Sequence, residues 1–391
     1  MDSLPYKQDK KSVKRLHLGY EARKWSQMTD RYKVYTKVLK SIKAVVQDQH
    51  PGHTLTLAMM ITGIVLSKKA QLSEMSSEIP SDAKDKSIEM RLRRWVKHNR
   101  IDGDLIYLPF AQQILSALSN QELTLVMDGS QVGRGCMVLM VGVVYKKRTL
   151  PIAWLVYEGK KGHTTAERHI EALKKVKSIL PEGAKVLLLG DAEYDTTEML
   201  LWLKEDTDWD YVLRTSPQIY MSTELEEQKI GDLPLKKNQV LRYVDIKFTK
   251  AAEVKTNLVL WWMSRYEKPV YLISSLSEKY LICRYYQRRY RIETFFSDQK
   301  SRGFSIHKSH LADPERISRL LVAACLAYIW MIMQGLKVIA EGKTKHIDRT
   351  ERNDKSIFRL GMDWLRHCLK RNVDFDPVFL FQLETDSVNV R

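Results

Sequence analysis

The chain has 391 residues, 44% of them hydrophobic, and 64 Lys and Arg against 47 Asp and Glu give a formal charge of +17. That length accommodates two or three domains with a proper core, and the charge points to a polyanion, nucleic acid or an anionic membrane surface, as partner. Cys136, Cys283, Cys325 and Cys368 are widely spaced, with no C-x-x-C and no Cys/His cluster. This excludes a zinc finger and a disulfide framework and fits a reducing cytosol.

The opening MDSLPYKQDKKSVKR is polar and lacks the apolar core of a signal peptide. Helices are predicted over the first ~120 residues. In DRYKVYTKVLKSIKAVVQD, Val34, Val38, Ile42 and Val45 recur at helical spacing. HTLTLAMMITGIVLS is apolar nearly all round and suits the centre of this region. In KSIEMRLRRWVKHNR, Ile88, Leu92, Trp95 and Val96 form one apolar stripe. Arg91, Arg93, Arg94 and Lys97 crowd the remaining surface, and their density makes them candidate DNA-backbone contacts. A solvated basic face is the plainer reading of the same residues.

From residue 122 the pattern changes to strands. QELTLVMDGS is a buried run ending at Asp128; GCMVLMVGVVY and TLPIAWLVYEG follow, joined by the turn-like KKR. TTAERHIEALKKVKSIL reads as a capped helix. AKVLLLGDAEYD is a buried strand ending at Asp191, TTEMLLWLKED a helix and DYVLRTS a fifth strand. Together they describe an α/β fold, a five-stranded mixed sheet of the ribonuclease-H type with flanking helices. Residues 217–278 read as a β-rich insertion. The apolar run LLVAACLAYIWMIM is 14 residues long; a membrane span needs ~20, so a buried helix and no membrane are expected.

Asp128 and Asp191 end two strands expected to be neighbours, so their carboxylates would converge at one edge. Converging carboxylates repel unless a cation neutralises them, and hard oxygen ligands favour Mg2+ or Mn2+. The alternative is that each caps the turn after it. Tyr286, Arg289, Glu293 and Lys300 fall within about 60° of one another on a helix drawn through residues 285–300. Such a face offers a carboxylate for metal with two cations and a phenol for phosphate oxygens. A plain Glu293–Arg289 ion pair with a solvated lysine is the other reading. Asp298 lies about 140° round that helix, where a surface role is expected. Glu193 and Asp195 are weaker candidates than Asp191, which directly ends its apolar run. His163, Arg134 and Arg214 are possible phosphate contacts.

Tyr286-x-x-Arg289-x-x-x-Glu293-x-x-x-x-x-x-Lys300 matches the Y-R-E-K signature of the IS-four family of insertion-sequence transposases. Two aspartates and a β-rich insertion precede it in the order that family has, so the chain resembles its members over residues 120–310. The resemblance implies a DDE enzyme with Asp128, Asp191 and Glu293 as catalytic metal ligands for two Mg2+ ions, with Mn2+ as substitute. Tyr286, Arg289 and Lys300 would touch DNA phosphates. It also implies cleavage at the terminal inverted repeats, joining of 3′ ends to target DNA, a homodimer on DNA, and a cytoplasmic place at the bacterial nucleoid. Expected domains are a helical, basic DNA-binding region (1–118), a catalytic core (119–216 and 279–340), the insertion (217–278) and a C-terminal region (341–391). The resemblance offers Trp261 or Trp262 as the tryptophan that takes a flipped base, and both equally fit a strand core. A degenerate, DNA-binding relative and a two-metal nuclease without joining remain alternatives.

Overall fold

The computed structural model describes residues 30–47, 49–160, 162, 164–223, 226–249, 254–349 and 354–379. His163 lies outside them, as do residues 1–29 of the expected DNA-binding region and 380–391 of the C-terminal one.

Helices α1 (Asp30–Lys43), α2 (Pro51–Ser67), α3 (Leu72–Ser76), α4 (Asp85–Lys97) and α5 (Gly103–Leu118) come first. Proline opens α2, where a missing N–H leaves no bond unmade, and the helix is buried from Leu57 to Val65. In α4 the stripe Ile88, Leu92, Trp95 and Val96 is buried while Arg91, Arg93, Arg94 and Lys97 are exposed.

Strands β1 (Leu123–Gly133), β2 (Cys136–Tyr145) and β3 (Arg148–Glu158) form an antiparallel meander. Helix α6 (Ala166–Lys177) crosses to β4 (Val186–Gly190), parallel to β1, and α7 (Thr197–Glu205) leads to β5 (Asp210–Arg214), parallel to β4. Parallel neighbours require such crossovers, and the order β3-β2-β1-β4-β5 is that of a ribonuclease-H-like core. The insertion supplies β6 (Tyr220–Ser222), β7 (Glu227–Lys229), β8 (Gln239–Phe248), β9 (Val254–Trp262) and β10 (Val270–Ser274). It forms no sheet of its own: β10 pairs antiparallel with β5, and one sheet runs β3-β2-β1-β4-β5-β10-β9-β8-β6-β7.

The chain then forms α8 (Lys279–Tyr286), α9 (Arg291–Gln299), α10 (Pro314–Ala340) and α11 (Ile357–Arg371). Helix α10 is long and apolar enough to span a membrane, yet 89% of its most apolar window is buried inside the protein. It packs on β3, on the helices α2, α4 and α5, and on α11. A Cβ on Gly361 would stand 1.9 Å from the Met331 carbonyl oxygen, so α10 and α11 touch backbone to backbone. Buried Arg319 of α10 donates to the carbonyls of Ile101 and Val96 at 2.8 and 3.1 Å, tying the N-terminal helices to this layer.

Two expectations are corrected here. Residues 285–300 do not form one helix. Through 288–293 the backbone bonds run i→i−3, as in Arg289 N to Tyr286 O (3.0 Å) and Glu293 N to Tyr290 O (3.0 Å). This tight turn separates α8 from α9, and α9 ends before Lys300, whose ψ is −112°. Anchors on either side hold the turn: Arg289 reaches strand-borne acids, and Arg291 donates to the Lys146 carbonyl in the β2–β3 turn. Asp298 is not a surface residue either. It is 3% exposed and pairs with Arg148 at the start of β3 (3.1 Å), because α9 turns that face onto the sheet. Burial pushes its carboxyl up to about 6.

Candidate active site

Strand register builds the first half of the site. β1 and β4 run parallel from Leu123–Val186 to Val126–Leu189, and the same offset carried onward sets Asp128 beside Asp191. β4 and β5 pair through Gly190–Leu213, which continued one step sets Asp191 beside Arg214. Asp128, Asp191 and Arg214 therefore form one row across three strands. Asp191 lies just past the end of β4, as expected. Asp128 does not end its strand: β1 continues to Gly133 because its antiparallel partner β2 goes on pairing there.

Asp128 is 5% exposed and its Oδ1 accepts from the Gly129 N–H at 2.8 Å. Asp191 is half-buried and accepts from the Ala192 N–H at 3.0 Å. Arg214 approaches Asp191 at 3.5 Å.

The turn between α8 and α9 brings the second half. Arg289 Nη1 lies 3.7 Å from Asp128 Oδ2 and 3.8 Å from Asp191 Oδ2, while Nη2 donates to Glu293 Oε1 at 2.9 Å. One guanidinium thus touches all three acids. Burial alone would lower its pKa, but Tyr286, Asp191, Asp128 and Glu293 outweigh that and hold it above its ordinary value. Glu293 itself is exposed. Its ion pair with Arg289 exists, and it coincides with membership of the acid group. Tyr286 lies beneath, its ring centroid 5.9 Å from the Arg289 guanidinium. Burial first, then the Asp191 charge, push the phenol up to about 12, so it is a neutral donor at ordinary pH.

Lys300 arrives by another route. Its Nζ donates to Ser130 Oγ at 2.7 Å, two residues along β1 from Asp128. Arg289, Glu293 and Lys300 are thus gathered at the row although they do not share a helix.

The donor set suits a hard divalent cation: three carboxylates bring oxygen ligands to one place, with Arg289 in contact with all three and Arg214 3.5 Å from Asp191. As they stand, no three Asp, Glu, His or Cys side chains among the described residues are arranged to hold an ion. Arg289 occupies the space between them.

Beside the row opens a cleft of about 850 Å³, whose lining includes Arg214, Arg265, Arg284, Tyr286 and Arg289. Trp261 also lines it, but is 3% exposed and packed edge-on against Tyr266 at 5.2 Å. Trp262 donates its indole N–H to the Tyr266 carbonyl at 3.1 Å. The basic residues of the insertion and of α8 were not singled out from sequence. Arg214 was, without its reason; its position at the end of β5, matching Asp191 at the end of β4, is the signal that reveals it.

Behind the row, His169 and Tyr194 pack edge-on with centroids 4.7 Å apart. Neither His169 nitrogen nor the Tyr194 hydroxyl has a hydrogen-bond partner among the described residues, and burial pushes His169 down to about 4. Asp195 is buried here, and that burial raises it to about 6. Arg134 is elsewhere, near His310 (3.4 Å). On α4, Arg93 pairs with Glu89 at 2.6 Å and Arg91 donates to Thr56 at 3.1 Å, whereas Arg94 and Lys97 are open to solvent. This helix packs on α2, α3 and α10, in the helical layer.

Residues 101–330 match a family model described as "Transposase DDE domain". No curated protein is significantly similar to the chain. Among solved structures, the cryo-EM structure of the piggyBac transposase synaptic complex with hairpin DNA is 12% identical, with a TM-score of 0.44. That alignment covers 92% of this chain and 84% of the other. A likeness at that score carries no inference about this chain.

Proposed function

The chain belongs to the transposase DDE domain family, and from that premise we propose that it cuts and joins DNA at the ends of its own insertion sequence. The observation that carries this reading is the single guanidinium in contact with Asp128, Asp191 and Glu293. Acids so far apart in sequence have no structural need to meet, and a cluster of like charge is unfavourable without a counter-ion.

In this reading Asp128, Asp191 and Glu293 hold divalent ions, two Mg2+ with Mn2+ as substitute. When bound, such ions activate the attacking oxygen and stabilise the leaving one. The remaining residues bind and orient. Lys300 and Arg214 flank the row on either side and offer cationic donors to non-bridging phosphate oxygens. Tyr286, kept protonated, donates from below. Water cleaves the phosphodiester and leaves a 3′ hydroxyl, which then attacks a target phosphodiester and displaces a new 3′ hydroxyl. The basic N-terminal region, with Arg91, Arg93, Arg94 and Lys97, binds duplex outside the catalytic row, and two copies act together as a homodimer on paired ends. The Y-R-E-K spacing supports assignment to the IS-four family, and the nucleoid as place of action follows from the substrate.

The test is a duplex carrying the gene's own flanking ends, incubated with protein and Mg2+ or Mn2+. Nicking at the end and joining to plasmid, both lost in Asp128→Asn, are expected. Cutting without joining would reduce the protein to a nuclease; binding without cutting would reduce it to a DNA-binding relative.

A further inference from the structure

We infer that Arg289 is the resident counter-ion of the acid row, and that entering DNA draws it onto a backbone phosphate and thereby frees the carboxylates for metal. This rests on the function proposed above. Three observations lead to it. The guanidinium stands between the acids, within 3.8 Å of each. No three of the described acidic, His or Cys side chains are disposed to share an ion. And Arg289 sits in the i→i−3 turn between α8 and α9 and lines a cleft of about 850 Å³ beside the acids.

The charges make the exchange favourable. Arg289 is the cation that contacts all three acids, while Arg214 approaches Asp191 at 3.5 Å. A phosphate in the cleft offers the guanidinium an equivalent, bidentate partner, so Arg289 leaves one set of oxygens for another. The carboxylates it leaves repel one another, and only a cation of higher charge relieves them. Ion binding and DNA binding are then coupled, and reciprocity requires each to strengthen the other by one factor. Arg289 acts here as a positioning residue: it keeps ions out of a site with no DNA and admits them when DNA arrives.

The test measures Mn2+ affinity by electron paramagnetic resonance on the full chain without DNA. Arg289→Ala should bind Mn2+ about tenfold more tightly than wild type, within the usual range of such couplings. Its melting temperature should rise with Mn2+ where that of the wild type barely moves. Wild type should gain the same affinity on adding a short duplex, with Asp128→Asn as the control for ions held by the DNA itself. If Arg289→Ala does not fold, the wild-type comparison with and without duplex decides alone. Equal or weaker Mn2+ binding by folded Arg289→Ala, or no gain in wild type with duplex, overturns the inference while end cutting by wild type leaves the proposed function standing. Failure of wild type to cut at all would remove both.

Discussion

The two acids on the sheet and the third on the helix pair are held in different ways. Asp128 and Asp191 stand on neighbouring parallel strands whose hydrogen bonds set their spacing, with Asp128 buried and β4 buried along its whole length. Glu293 is exposed, on a nine-residue helix entered through a tight turn, and one guanidinium joins it to the other two. A sheet resists displacement because shifting one strand breaks a whole ladder; the turn and short helix that carry Glu293 depend instead on a few side-chain contacts, those of Arg289, Arg291 and Asp298. The site therefore has a stationary half, set by the strand ladder, and a second half set by side-chain anchors, Arg289 on the acids and Arg291 on the Lys146 carbonyl.

Substitutions can break that comparison. The largest effect is expected from Asp128→Asn, which removes a charge from the stationary half and almost no bulk. End cleavage should fall by roughly 10³-fold or more, several kcal/mol of barrier, with end binding kept in a gel-shift assay. Cleavage within tenfold of wild type would remove Asp128 from the site.

The glycines beside the two aspartates sharpen the contrast within the sheet. A Cβ on Gly190 would stand 2.9 Å from Leu213 Cδ2 and 3.0 Å from Tyr194 Cδ2, whereas one on Gly129 meets nothing nearer than the Tyr194 hydroxyl at 3.8 Å. Gly190→Ala should cost about 1–3 kcal/mol in denaturant unfolding and slow cleavage with it; Gly129→Ala should leave stability unchanged. Equal costs would contradict the packing around Asp191.

Asp195 gives the pH dependence. Its folded pKa of about 6 lies above the ordinary 3.8, so its contribution to stability is full below pH ~3.8 and is lost as pH rises through 6. Wild type should lose on the order of 3 kcal/mol across that window relative to Asp195→Asn. Parallel stability curves for the two proteins would disprove the shift.

Lys300→Ala removes the donor at Ser130 and should weaken both end binding and cleavage by about tenfold, the value of one charged hydrogen bond. The smallest effect belongs to the helical layer. Arg94→Ala should lower the salt dependence of duplex binding by about 0.9 in slope, one phosphate contact, without changing cleavage of bound ends. No change in slope would make α4 a solvated face.

Much of this was legible in the chain. Asp128 and Asp191 announce themselves because strand burial is contiguous and a carboxylate interrupting it is conspicuous. The apolar periodicities of α1 and α4 place their buried faces except at Val45, which falls past the end of α1 and is half-buried while Val46 is buried, and the order of strands and crossovers yields the central sheet. The signature spacing singles out Tyr286, Arg289, Glu293 and Lys300, although the single helix it suggested is broken at 287–290. All of these are local signals, set by backbone geometry and by which residues avoid water.

What only the tertiary structure decided depends on partners distant in sequence. The turn that breaks the helix at 287–290 exists between anchors on the acids and on Lys146, so helical spacing could not reveal it. Asp298 is buried because Arg148, 150 residues away, meets it there. The insertion joins the main sheet because the edge of β5 was free to accept β10, a pairing no local pattern encodes. And Arg289, which the signature places against phosphate, stands among the acids because the turn between α8 and α9 sets its guanidinium between Asp128, Asp191 and Glu293.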